Sequence, residues 1–321
     1  MKLKQVCNFI NGKTSVPAGN RNLFSNELII DELREVAKAG DNKGIEFREI
    51  ISPSEKVQQI TSLEDYGSMD LVRRKADGKL LAQRTIYSEH KALNEITALA
   101  LLNHENIVAL YESGIIDQGM HKNFYAYRLE YFENHDYFRK IDFNNPQQVN
   151  DFLDLFKKVV KAIDHAHSRG IVHRDLKPEN ILINDAIVKV IDFELAKIQR
   201  PDIGIVTGTE DYLTGTVEYI APEQFENASK VNYTSDLYSL VVIMYKVLTG
   251  YNPVFFNEVR VNKPVSIREL NPAINNEFFA RALLGALSEN QKERTFKKAN
   301  ELLRFLENLD AYKLTSTKAL C

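Results

Sequence analysis

The stretch His173-Arg174-Asp175-Leu176-Lys177-Pro178-Glu179-Asn180, continued by Ile181-Leu182-Ile183, decides the reading of this chain. Its polar residues fall between a helical pattern and a short apolar run. That predicts a tight loop, the kind of place where a rigid scaffold holds side chains over a cleft. Asp175, Lys177 and Asn180 are spaced two and three residues apart, so one loop presents a base, a cation and an amide together. Twelve residues past Asn180, Asp192 ends the apolar run Val190-Ile191 and precedes Phe193. Asn180 and Asp192 offer hard oxygen donors of the kind that hold Mg2+ against phosphates.

This pair of motifs resembles the eukaryotic-type protein kinases, whose catalytic loop reads H-R-D-x-x-x-x-N and whose metal-binding Asp opens D-F-G. The resemblance runs from Val57 to Leu309 and implies an α+β, bilobal fold. A small β-rich lobe with one helix would take residues 51–132, and a larger helical lobe residues 133–309. Residues 1–50 would form an N-terminal extension and 310–321 a tail. ATP would sit between the lobes. Asp175 would orient or deprotonate the acceptor hydroxyl, Lys177 would stabilise the transferring phosphoryl group, and Asn180 and Asp192 would hold Mg2+.

Composition sets outer limits. The 321 residues carry 41 Lys and Arg against 44 Asp and Glu, a net charge of -3, which gives no electrostatic case for nucleic acid or membrane partners. The two cysteines, Cys7 and Cys321, suggest no disulfide framework and point to a reducing compartment, the cytoplasm. No apolar run follows the basic start, and Leu237 to Leu248 is too short and too broken to span a bilayer.

Between turn clusters near the N-terminus, Asn26 to Ala39 places Ile29, Ile30, Leu33, Val36 and Ala37 at helical spacing, with Asn26 as a candidate cap. From Val57 the pattern turns to strands. Where the family has a glycine-rich hairpin, G-x-G-x-x-G, only Gly67 remains; Ser62 and Glu64 replace the first two glycines, and Glu64 brings a negative charge toward an anionic ligand. Leu71 to Ala82 reads as a hairpin with an Asp77-Gly78 turn, in wording similar to the NIMA-related kinases. The following strand should read V-A-I-K, its Lys on the nucleotide phosphates, but here reads Leu81-Ala82-Gln83-Arg84. Arginine keeps the charge in a longer, planar fork, so the exchange is not conservative. Lys75 and Lys79 lie nearby, on or beside the turn. Ser88 to Asn103 is helical, with Glu95 where the family pairs a glutamate with the strand lysine; a carboxylate can pair with Arg84 as well.

The resemblance makes Leu129 the gatekeeper and gives adenine to the backbone of Glu130 and Phe132. Gly67, Ala82 and Leu182 join the nucleotide-contacting set, and Asp136 would reach ribose or a basic substrate residue. Val149 to Gly170 reads as one helix with Phe152, Leu155, Phe156, Val159, Ile163 and Ala166 on one face; His165 and His167 read as structural. Asp192-Phe193-Glu194 departs from D-F-G, and Glu194 would be strained if that position needs a positive φ. The activation segment ends at Ala221-Pro222-Glu223 and contains Thr207, Thr209, Tyr212, Thr214 and Thr216; Thr207, Thr209 or Thr214 would be the phosphosite, with Arg174 as the phosphate partner. Thr216 would bond Asp175 and Lys177, as in serine/threonine kinases. Asp236 would bond the catalytic-loop backbone or cap a helix, and Arg294 would pair with Glu223. Ala299 to Leu309 reads as the last helix.

Two functions compete. One is an active serine/threonine protein kinase, with ATP, Mg2+ and a protein substrate. The other is a pseudokinase, a binding or scaffolding module, because Ser62 with Glu64, Arg84 and Glu194 all depart on the phosphate side. A small-molecule kinase fits less well with Thr216 and the A-P-E motif. An autoinhibitory or partner-binding helix in the extension is the minor alternative to plain packing.

Overall fold

The computed structural model describes residues 26–39, 44–51, 54–63, 67–116, 124–133, 135–200, 205–206, 216–226, 230–256, 259–260 and 263–315. The chain divides into two compact units. The first holds Met1–Glu133, Arg169–Ile171 and Asp192–Gly208; the second holds Asn134–Ser168, Val172–Ile191 and Thr209–Cys321. The architecture is α+β, with a β-sheet in the first unit and mostly helices in the second.

The first unit opens with helix α1 (Asn26–Ala39), as its periodicity predicts, burying Leu33, Val36 and Ala37. Strand β1 (Glu46–Ile50) follows, earlier than the expected start of strands at Val57. Then come β2 (Ser54–Leu63), β3 (Gly67–Arg74), β4 (Leu80–Ile86), helix α2 (Glu89–Leu101), β5 (Leu110–Ile115) and β6 (Tyr125–Glu130). They form one six-stranded sheet in the order β1-β5-β6-β4-β3-β2. Strand β1 runs parallel to β5; the other pairings are antiparallel. The expected boundary at residue 51 therefore cuts the sheet: part of the extension is a strand of it, and α1 packs on α2 and β1. Gly78 takes a φ of 73° in the β3–β4 turn, a conformation that favours glycine. Arg74 clamps the same turn through Asp77, at 3.0 and 2.6 Å.

Register decides which side chains share a face. Ala82 pairs with Leu129 and Arg84 with Tyr127, so these four lie on one face of β4 and β6; Gln83 and Arg128 pair on the other. There Arg128 donates to Glu112 at 2.8 Å and to Gln83 at 3.0 Å, all three buried.

The second unit is built on α3 (Pro146–Ser168), longer at its start than Val149. Its buried face holds Val149, Phe152, Leu153, Phe156, Val159, Val160, Ile163 and Ala166, the three-and-four spacing of a core-facing stripe. Leu155 falls beside that stripe and stays partly exposed, whereas Leu153 lies inside it. The loop from His173 to Asn180 leads into a short hairpin, β7 (Ile181–Asn184) and β8 (Ile187–Val190). Helix α4 (Tyr233–Thr249) is buried almost throughout. Asn232 caps it, accepting from Thr234 N at 2.9 Å, and Gly250 ends it at a φ of 82°. Helices α5 (Glu277–Ala286), α6 (Ala299–Glu307) and α7 (Ala311–Thr315) complete the unit. The last lies in the expected tail. Its Leu314 is fully buried and accepts from Asn275 N and Asn276 N through its carbonyl, so the packed structure continues past residue 309.

Candidate functional site

In the first unit the site grows from strand β4. Alternation points Arg84 to the face that α2 covers, and Ser88 sets the helix in place by capping it, accepting from Lys91 N. One turn further on, Glu95 is fully buried. Arg84 Nη1 lies 2.8 Å from Glu95 and 3.1 Å from Asp192, and Nη2 bonds Glu194. Glu95 also accepts from the Tyr127 hydroxyl and, at 3.3 Å, from Phe193 N. Burial pushes the Glu95 carboxyl up to about 7, with Arg84 opposing. Burial alone would lower the Arg84 guanidinium, but the acidic groups around it hold it well above its ordinary range. The expected pairing of Glu95 with Arg84 is thus present, and neither turn lysine replaces Arg84. Lys75 is exposed beyond β3, and Lys79 Nζ sits 3.6 Å over the Tyr111 ring.

The D-F-E segment differs from expectation in its backbone. The positive φ, 64°, belongs to Asp192 and not to Glu194, so a side chain at the third position meets no left-handed strain. Asn94 Nδ2 donates to the carbonyls of Glu194 and Ala196, at 2.7 and 2.9 Å, tying the segment to α2. Lys91 Nζ lies 3.2 Å from the Glu194 carboxylate. Asn94, Tyr127 and Lys91 escaped the sequence reading, since nothing in one sequence says that Tyr127 pairs with Arg84 across the sheet.

Elsewhere in this unit, Gly67 starts β3 and pairs with Leu63, and Ser62 pairs with Ser68. Glu64 lies outside the described residues, as do Thr207, Thr209, Tyr212 and Thr214. Leu129 is buried on the Arg84 face, Glu130 donates its N–H to Ala109 O at 2.8 Å, and Phe132 follows the strand, half-buried.

The second unit carries the loop. Asp236, buried inside α4, accepts from His173 N at 2.8 Å and Arg174 N at 2.9 Å and sits 2.8 Å from His167 Nε2. It is not the helix cap, which is Asn232. Arg174 takes a φ of 73° in this grip. Asp175 Oδ1 accepts from Thr216 N at 2.8 Å and Thr216 Oγ1 at 3.1 Å. Lys177 Nζ lies 2.9 Å from Thr216 Oγ1 and 3.0 Å from Asp175 Oδ2. Asn180 Nδ2 donates to Asp175 O at 2.8 Å and Oδ2 at 3.1 Å, which leaves the amide oxygen as the remaining polar atom of the side chain. Burial would raise the Asp175 carboxyl, but Lys177, His173 and the Thr216 N–H outweigh it and hold it below its ordinary value. Leu182 is buried in β7. Asp136, bridged to Ile183 by its backbone, pairs with Arg139 at 2.8 Å on an exposed surface. Glu223 and Arg294 form a buried bidentate pair at 2.7 and 2.5 Å.

The family model for the protein kinase domain matches residues 65–318. This chain belongs to the protein kinase family. Its relatives place it among the eukaryotic-type serine/threonine kinases. A probable serine/threonine-protein kinase of Clostridium acetobutylicum is 30% identical over 76% of this chain and 37% of its own length. A serine/threonine-protein kinase of Myxococcus xanthus is 30% identical over 66% of this chain and 41% of its own. A probable NIMA-related kinase of Dictyostelium discoideum is 31% identical over 57% of this chain and 17% of its own, in keeping with the wording of the β3–β4 hairpin. The chain thus spans well under half the length of these relatives. The crystal structure of the PknI kinase domain of Mycobacterium tuberculosis shares the fold, with a TM-score of 0.58 at 19% identity over 80% of this chain and 95% of that one.

Proposed function

We propose that this chain is a serine/threonine protein kinase that transfers the γ-phosphate of ATP to hydroxyls of protein substrates. The observation that carries the reading is the Asp175–Lys177–Thr216 arrangement. A carboxylate, an ammonium and a hydroxyl converge within 3.1 Å around one point of the loop, with Asn180 tied to the same Asp175. Phosphoryl transfer is mostly positioning and charge stabilisation, and these residue types supply both. Asp175 stays ionised at neutral pH, so it can orient an acceptor hydroxyl and take its proton as the oxygen attacks. Lys177 brings positive charge to the oxygens of the moving phosphoryl group. Thr216 holds both and presents backbone beside them, where a Ser or Thr acceptor would lie.

Asn180 and Asp192 are the residues we assign to Mg2+, because an amide oxygen and a partly exposed carboxylate are the hard donors it takes. Bound there, the metal would neutralise phosphate oxygens. On the first unit, Arg84 with Glu95 takes the role of the strand cation and its glutamate, and Leu129, Glu130, Phe132, Ala82, Gly67 and Leu182 are assigned to the nucleotide. The cytoplasm, reducing and supplied with ATP, is the proposed setting. Among the described residues no helix is long and apolar enough to cross a membrane.

One observation favours the pseudokinase reading: Arg84 sits 3.1 Å from Asp192, engaging the carboxylate assigned to the metal. The deciding assay is Mg2+-dependent transfer from labelled ATP to a basic protein, wild type beside Asp175→Ala. We expect transfer in the wild type and a loss of about a hundredfold or more in the variant. Wild-type transfer that Asp175→Ala leaves intact, or no transfer in the wild type, refutes the kinase reading.

A further inference from the structure

Two departures from the family pattern meet in space. Arg84 replaces a lysine and Glu194 replaces a glycine, 110 residues apart, and their side chains are bonded to each other. The guanidinium is a flat fork with more donors than an ammonium, so it needs more acceptors and a fixed plane to place one nitrogen usefully. Here Nη1 faces Glu95 and Asp192 while Nη2 is held by Glu194. Nε is buried and has no partner among the described residues, so the terminal nitrogens alone set the orientation. A glycine at 194 would leave Nη2 without that acceptor.

The added charge is balanced as well. Lys91, on α2, lies 3.2 Å from the other Glu194 oxygen. Arg84, Glu95 and Asp192 carry a formal charge of -1, and Glu194 with Lys91 leaves it unchanged. The backbone of residue 194 is anchored separately, by Asn94 on its carbonyl. The segment is therefore tied to α2 through its backbone as well as through the Glu194 side chain.

We propose that Glu194 is the positioning residue that lets an arginine serve as the strand cation for the nucleotide phosphates. It fixes the plane of the Arg84 guanidinium from one side so that Nη1 stays at the Glu95–Asp192 end. Arg84 and Glu194 are then one functional exchange for a lysine and a glycine, not two separate losses. This deepens the kinase reading above and rests on it.

The test is a double-mutant cycle on the full chain: wild type, Glu194→Gln, Arg84→Lys and the double variant, with Glu194→Asp as the conservative replacement. Dissociation constants for Mg-ATP are read by calorimetry, kcat and KM by labelled transfer, and Tm without nucleotide by thermal unfolding. With Arg84 present, Glu194→Gln is expected to weaken Mg-ATP binding about tenfold, as when one partner of a buried charge pair is removed. In the Arg84→Lys background the same change should shift binding less than about twofold, because a lysine has no second nitrogen to hold. Glu194→Asp should recover part of the affinity. Equal weakening in both backgrounds, tracking a common fall in Tm, overturns the proposal and makes Glu194 merely structural. No weakening with Arg84 present also overturns it. If the wild type binds Mg-ATP but transfers nothing, the kinase reading fails while the coupling of Arg84 to Glu194 is still measured by binding. If the wild type binds no Mg-ATP, both fall together.

Discussion

Arg294 and Arg84 are both buried arginines, held in different ways. Arg294 spends its nitrogens on Glu223, the Ser288 and Thr234 carbonyls and the Thr234 hydroxyl, all within the second unit. Arg84 meets three carboxylates, Glu95, Asp192 and Glu194, one of which the proposed function assigns to a metal. The first arrangement is structural. Arg294→Ala leaves Glu223 buried and unpaired, and we expect a loss of about 3–5 kcal/mol in urea unfolding. Burial pushes the Glu223 carboxyl up, but Arg294 and Ser235 prevail and hold it below its ordinary value. Its folded value is thus depressed, so its contribution is present above the unfolded carboxylate range, about 4.3, and fades as pH falls through the folded value. The stability gap between wild type and Glu223→Gln should therefore be widest near pH 7 and shrink toward pH 3. A gap that is flat or grows on acidification would contradict the assignment. The role of Arg294 was legible because the motif fixes its partner. The partners of Arg84 were legible only in part: Glu95 by family position, Tyr127 and Glu194 not at all.

At the scale of elements, α1 and β1 change the meaning of the N-terminal extension. Leu33, Val36 and Ala37 are buried where α1 packs on α2, the helix that carries Glu95, Asn94 and Lys91. Arg34 further ties α1 to β1 through Phe47 O at 3.2 Å. From this packing we expect α1 to act as a brace on α2. Deleting residues 1–39 is expected to cost about 3–6 kcal/mol, because the apolar surface of α2 and β1 that α1 covers becomes exposed. Labelled transfer should fall as well. A rise in activity after the deletion would restore autoinhibition. Helical spacing predicted α1 to its end residues, because an amphipathic stripe is a local pattern. Strand β1 went unread: five residues bearing two Glu and an Arg show no clean alternation, and only pairing with β5 makes them a strand. In α3 the spacing misplaced one member, Leu155 for Leu153, since both are apolar and only packing distinguishes the stripe from its border.

Across the whole molecule, nucleotide binding should appear as stability. If Arg84, Asp192 and the catalytic loop serve Mg-ATP, the nucleotide at about a hundred times its dissociation constant should stabilise the folded chain by about 2.7 kcal/mol. Thermal unfolding with Mg-ATP, with ATP and EDTA, and with Mg2+ alone checks this. No shift in Tm with Mg-ATP would contradict the nucleotide binding that the kinase reading requires.

The sequence by itself determined the family, the α+β class and which polar residues share the loop from His173 to Asn180. Asp175, Lys177 and Asn180 are neighbours in the chain, and a short loop brings them together wherever it lies. It also determined the Arg294–Glu223 and Arg84–Glu95 partners through their motifs. Only the tertiary structure decided what the departures mean. Arg84 and Glu194 become one paired exchange through contact across 110 residues. The strain feared for Glu194 falls on Asp192, because φ is set by the path of the folded backbone and not by the letter at one position. The boundaries moved for the same reason. Strand β1 and helix α7 each complete a buried surface that another part of the chain presents, and no local pattern records that surface.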